Sequence, residues 1–369
     1  MNNGVSIKQR MFLLDFIRII CAFFIYARHS IGMYGCNYGH VLNSLFDYMT
    51  SPVMTCFFII SGFSIHYQHR SEDNSAEWTK SYLKKRFIAI MPSYLLFVFI
   101  WPLLYPSQIK TWALLFPVDL LGIQTVYRSL FGILHNGGTW FVSCLFLCYI
   151  LYPVIKSIIT NVKIWVPLIM LIITHFILMY SNVIIPKFSL DSLYSNPLAR
   201  AAEFMIGVLF CELLSVLINK DNYTSVKAGG GEATKPRISI IIISVSVLFM
   251  ISITLGILSK TTMVILVFGY LVIPVILLLL FASFVLRAQI FGNSRIISTL
   301  SGMSYQFFLM QLFLWDATTI VLKLFHLSGN KAKILVSFII CTLGAFIIYQ
   351  FYDKPVRSIL KKRIIKSRD

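Results

Sequence analysis

Charge is what this sequence has least of, and negative charge above all: of 369 residues 12% are charged, with 14 Asp or Glu against 32 Lys or Arg. Soluble globular chains carry about a quarter charged residues, so a water-facing enzyme of one or two domains is excluded. A disulfide framework is missing too. The seven cysteines (Cys21, Cys36, Cys56, Cys144, Cys148, Cys211 and Cys341) fall mostly inside apolar runs, where free thiols pack as small hydrophobes. Cys144 and Cys148 stand one helical turn apart with no His or second Cys pair beside them, so no metal site is expected. Nor is there the pattern of a cleaved signal peptide, because the first apolar run carries Asp15 and Arg18 and no small-residue cleavage site follows.

What the chain does have is apolar side chain, 58% of its residues, with a mean hydropathy of +0.80. Its solvent is lipid. Spans of about twenty apolar residues can be placed at 11–34, 49–67, 86–105, 139–158, 164–181, 198–218, 238–258, 262–285, 300–322 and 334–352. The expected fold is therefore all-α, a polytopic integral membrane bundle of about ten helices forming one domain over 1–369. Segment 106–138 is interrupted by Pro106, Pro117, Asp119, Arg128, Gly137 and Gly138 and reads as a long loop with interfacial helices, and 227–237 reads as a flexible linker.

With ten spans both termini share a side. Placing that side in the cytoplasm gives it more than twice as many Lys and Arg as the other, seven of them in the basic tail 353–369. The net charge of +18 is then an orientation signal of a multi-pass protein, and no nucleic-acid partner is expected.

Ionisable residues inside spans cost several kcal/mol unless paired or hydrated, which makes each one a functional candidate. The first span holds the densest set, in "LDFIRIICAFFIYARHS". Asp15 and Arg18, three apart, share a helix face and can pair. His29 lies eleven residues beyond Arg18, a rise of about 16 Å that returns it to nearly the same face. A fixed cation near one membrane surface and an imidazole toward the other suit a substrate that enters on one side and reacts on the other. A snorkelling Arg and an interfacial His are the plain alternative.

"LDFIR", ten residues, then His29 resembles the opening of membrane-bound acyltransferase family 3, and the resemblance continues in order over residues 11–357. "FFIISGFSI" (57–65) is similar to its second-span motif, "YLKKRFIAIMPSY" (82–94) to its basic approach to the third span, and "TWFVSCLFLCYILYP" (139–153) to its Trp-bearing span. "NPLARAAEFMIGVLF" (196–210) matches with Arg200 and Glu203, "GMSYQFFLMQLFLW" (302–315) with Tyr305, and "YDKPVR" (352–357) with its closing acid and proline.

The resemblance implies transfer of an acyl group, most often acetyl from acetyl-CoA as co-substrate, across a bacterial plasma membrane to a hydroxyl of a surface polysaccharide or glycolipid. It implies His29 as the catalytic residue and Arg18 as its companion. Neutral imidazole suits removal of a proton from an attacking sugar hydroxyl, and an acyl-imidazole intermediate is the other route. Lys84, Lys85 and Arg86 are expected to meet the phosphates of the acyl-CoA. Two positions depart from the family pattern: Ala89 stands where a second arginine is usual, with Lys84 or Lys85 the candidates to compensate, and Gln311 stands where many members have His, which leaves it a positioning role. Arg200 and Glu203 are expected to pair. Trp140 reads as an acceptor-site wall or an interfacial anchor, Asp316 as a residue that could orient His29, Tyr26 as a packing or lipid-facing group, and His175 as a hydrogen-bonded core group. The rival function is a transporter or flippase for a glycan or lipid-linked precursor, which buried Arg, Asp and His also suit.

Overall fold

A computed structural model describes residues 11–123, 125, 139–160, 162–179, 193–228, 271–286 and 295–365. Among these residues there are eleven α-helices and no strand. They are α1 (Phe12–Tyr34), α2 (His40–His69), α3 (Ala76–Leu104), α4 (Ile109–Leu121), α5 (Trp140–Ile159), α6 (Trp165–Met179), α7 (Pro197–Ala228), α8 (Val272–Leu286), α9 (Arg295–Leu324), α10 (Asn330–Ile347) and α11 (Lys354–Ile365). Among the described residues five segments are long and apolar enough to cross a membrane: Leu13–Tyr34, His40–His69, Ala76–Leu104, Trp140–Ile159 and Asn330–Ile364. The expected span 238–258 and the residues Arg128, Gly137 and Gly138 lie outside the described residues, as does most of the linker at 227–237. Part of the expected loop at 106–138 is the helix α4, ended by Gly122 in the left-handed conformation (φ 64°) that glycine adopts at least cost.

Burial sorts the helices into centre and rim. α7 is central, packed on α2, α5, α6 and α8, and its residues Phe204, Ile206, Val208, Leu209, Phe210 and Leu214 are fully buried. The outer helices show apolar stripes at helical spacing, Ile150, Val154 and Ile158 on α5 and Ile169, Ile173 and Ile177 on α6, each more than half exposed. Such stripes suit a lipid surround and, with the long apolar helices, fit a membrane protein.

The tightest crossing joins α2 and α7. A Cβ on Gly62 would collide with the carbonyl of Phe204, and one on Gly207 with the carbonyl of Ile59. Small residues let helix backbones approach where no hydrophobic gain between helices is available. Polar pairs along this seam (Thr55 with Glu203, His66 with Glu212) run in register, so the two helices are parallel. The same holds for α1 and α9, where Asp15 meets Ser301 and His29 meets Gln311.

α10 leads through a π-helical turn, Ile348–Asp353, into α11. Pro355 follows that turn closely, has no N–H to offer residue 351, and its ring crowds that carbonyl. A widened turn accommodates both effects, and it brings Tyr352 and Asp353 against α3: the Tyr352 hydroxyl donates to the Pro92 carbonyl at 3.2 Å and Ser93 Oγ donates to Asp353 Oδ1 at 2.6 Å.

Candidate active site

The inward face of α1 carries both Arg18 and His29, each fixed by other helices. Arg18 Nη1 lies 3.4 Å from Asp15 Oδ1, and its Nη2 donates to Ser64 Oγ of α2 at 2.8 Å. Asp15 is buried and also accepts from Ser301 Oγ of α9 at 2.7 Å. The carboxylate is thus held from two helices while the guanidinium keeps donors to spare.

His29 Nδ1 lies 2.6 Å from Gln311 Oε1. With the amide oxygen as the acceptor, Nδ1 carries the proton and the neutral imidazole keeps its lone pair on Nε2. Gln311 is fully buried, and its Nε2 has no hydrogen-bond partner among the described residues. The Phe308 ring lies 6.3 Å from the imidazole and packs on Phe141 at 5.3 Å.

Phe308 and Phe141 also wall a cavity of about 290 Å³, which reaches Arg18, Ser61, Tyr149, Ser301, Tyr305 and, from the far end of the chain, Arg357. Two residues expected to matter, Arg18 and Tyr305, therefore border one space with Arg357, which the sequence did not single out. The Tyr305 hydroxyl donates to the Ile90 carbonyl at 3.4 Å, and Ala89 forms part of the same wall.

The family model for the acyltransferase domain matches residues 12–350, which takes in α1 through the start of the π turn. The chain belongs to the acyltransferase 3 family. No curated protein and no solved structure matches it.

In this acyltransferase the other expected residues divide. Arg86 packs over the rings of Tyr82 (5.5 Å) and Tyr149 (5.9 Å), and its Nη2 lies 3.3 Å from His69 Nε2. Its Nε is buried with no hydrogen-bond partner among the described residues. Lys84 is half-buried and Lys85 exposed on the preceding turn, and neither borders the cavity. Arg200 and Glu203 do pair, at 2.7 Å, and Thr55 Oγ1 donates to the same carboxylate at 2.8 Å. Trp140 is buried, with Arg200 5.9 Å over its ring, because α7 brings the guanidinium to it. Tyr26 is buried too, sharing a 2.6 Å hydrogen bond with Ser337 of α10, so it faces the bundle and not lipid. His175 is buried on α6. Asp316 belongs to α9, but its side chain lies outside the described residues. The hydrogen bond expected of it at His29 is made by Gln311 on Nδ1. Among the described residues no group of His, Cys, Asp or Glu is arranged to hold a metal.

A second polar cluster went unnoticed in the sequence. Glu212 of α7 receives Arg70 Nε at 2.6 Å and meets His66 Nε2 at 2.8 Å, while Lys156 lies 4.0 Å over the Trp78 ring and donates to the Glu72 carbonyl oxygen at 2.6 Å. Glu212 met the test applied to Asp15, an acid inside a span. His66, close behind "FFIISGFSI", was the available sign of its partner.

Proposed function

We propose that the protein transfers an acyl group, acetyl by default, from acyl-CoA arriving on the cytoplasmic side to a hydroxyl of a polysaccharide or glycolipid on the outer face of a bacterial plasma membrane. The observation that carries this reading is the pairing on α1 of a fixed arginine at a cavity with a histidine hydrogen-bonded to Gln311. The two lie about 16 Å apart along the helix axis, a distance that the extended pantetheine arm of an acyl-CoA spans.

Each residue then has a chemical task. Arg18 holds an anionic part of the acyl-CoA, and Asp15, anchored by Ser301, keeps the guanidinium in place. His29 Nε2 takes the proton from the acceptor hydroxyl as its oxygen attacks the thioester carbonyl, and the imidazolium returns that proton to the departing thiolate. Gln311 accepts a hydrogen bond from Nδ1–H throughout, which favours the tautomer with its lone pair on Nε2. The walls formed by Phe141 and Phe308 keep water from the thioester and so suppress hydrolysis.

The test uses purified protein in lipid nanodiscs with labelled acetyl-CoA and a surface glycan. Wild type is expected to label the glycan, and His29→Ala to lose about 10²- to 10⁴-fold of that rate. Equal labelling by the variant would overturn the catalytic assignment, and, with the protein in sealed vesicles, a glycan that crosses the membrane unlabelled would replace transfer with transport.

A further inference from the structure

Arg357 borders the same cavity as Arg18, yet the chemistry above gives it no task. Several features cooperate to bring it there. The π-helical turn before Pro355 delivers Asp353, fully buried, to Ser93, and Arg357 follows one helical turn later with its Nε 2.7 Å from Asp353 Oδ2. π turns inside helices are frequent at functional sites. Gly302 makes room for the turn, since a Cβ there would strike the Tyr349 hydroxyl, and Gly302 itself lines the cavity. Ala89, which also lines the cavity, gives its wall only a methyl group.

An arginine that served only to neutralise Asp353 would need no opening to the cavity. Arg357 keeps 24% of its side chain accessible, and among the described residues Asp353 is its one ion-pair partner. Its two terminal nitrogens therefore carry donors in reserve. Arg18 on α1 is built the same way, with an aspartate of its own helix tied down by a serine of another. Two neutralised pairs thus present unused guanidinium donors to one space, beside the hydroxyls of Ser61, Ser304 and Tyr305. A planar fork of N–H groups matches phosphate oxygens two at a time.

We infer that Arg357 is a binding residue for the acyl donor, gripping a phosphate group of acyl-CoA together with Arg18. The inference rests on the acyl-CoA reading of the preceding section and deepens it by naming a cation and the moiety it holds.

The experiment measures equilibrium binding of acetyl-CoA and of acetyl-pantetheine, which has the thioester arm without phosphates, to the full-length protein in nanodiscs. Wild type should prefer acetyl-CoA. Arg357→Gln should shrink that preference about ten- to hundredfold, and Arg357→Lys should restore part of it as a point charge without the fork. The double variant Asp353→Asn/Arg357→Gln removes both charges, guards against misfolding from an unpaired buried carboxylate, and should show the same loss. Arg357→Gln that binds acetyl-CoA as tightly as wild type, or that weakens both ligands equally, overturns the site and leaves the acyl-CoA reading standing. Folded wild type that binds no acetyl-CoA overturns the acyl-CoA reading and the site with it.

Discussion

Arg18 on α1 and Arg200 on α7 each stand three residues from an acid on the same helix, and both lie within the bundle. Arg200 is closed off, with 2% of its side chain exposed. It bonds both oxygens of Glu203 and the Tyr194 carbonyl, and it packs over the rings of Phe58, Trp140 and Tyr194. Arg18 touches Asp15 at a looser 3.4 Å, keeps 27% of its side chain exposed, and borders a cavity. Spacing along the helix is the same in the two pairs; what neighbouring helices contribute is not. Around Arg200 they supply acceptors and aromatic faces that enclose the side chain. Around Arg18 they take up the aspartate and leave the guanidinium beside open space with hydrogens unused. A buried charge is therefore a brace when acceptors and rings enclose it and a binding group when donors remain beside open space.

The same substitution made at both positions puts this contrast under the greatest stress. Arg200→Lys loses the fork that reaches Glu203 and Tyr194 together, leaving buried acceptors unmet at about 1–3 kcal/mol each. Its expected cost is about 3 kcal/mol of stability, read by thermal or denaturant unfolding in detergent. Arg18→Lys keeps a counter-charge for Asp15, so its unfolding should stay within about 1 kcal/mol of wild type while acyl transfer falls at least about tenfold. Equal destabilisation at the two sites would erase the distinction between brace and binding group.

Gly62 tests the seam against which the brace is built. Its Cα faces the Phe204 backbone, which cannot swing aside as a flexible side chain would. Gly62→Ala should cost about 1–3 kcal/mol through overpacking. Gly207→Ala strains the same crossing, so the double variant should cost less than the sum of the two. Full additivity would mean that α2 and α7 do not meet at these glycines.

Much of this was legible in the chain because lipid imposes simple rules. Helices were forced by backbone groups that cannot be left unpaired in hydrocarbon, and Asp15, Arg18 and His29 stood out because charge in a span is costly. The pairing of Arg200 with Glu203 followed from helical spacing alone. Contacts between distant segments were not legible. Nothing in "YDKPVR" states that Asp353 will meet Ser93 some 260 positions earlier, or that Arg357 will share a wall with Arg18. For Trp140 and Tyr26 the sequence leaves alternatives open, wall or interface for one and packing or lipid for the other, and only the path of α7 and α10 shows both to be enclosed. Gln311 appeared as a departure from a pattern, but its bond to His29 depends on the register of α1 against α9.

The loop between α2 and α3 gives the smallest effect and sharpens the contrast at its weak end, where a charge is neither enclosed nor open to a cavity. Burial alone would raise the Glu72 carboxyl, but hydrogen bonds from the Trp78 indole and from His69 outweigh it and hold the group below its ordinary 4.5. A depressed carboxyl stabilises the fold above the unfolded value, and that contribution disappears as pH falls through the depressed one. The side chain is 41% exposed, so solvent screening limits the gain to under about 1 kcal/mol. Glu72→Gln should therefore melt slightly below wild type at neutral pH, and the gap should close on acidification past about pH 4. A gap that stays constant down to about pH 3 would show that the neutral amide fails through lost geometry, and that the charge of Glu72 contributes nothing to the fold.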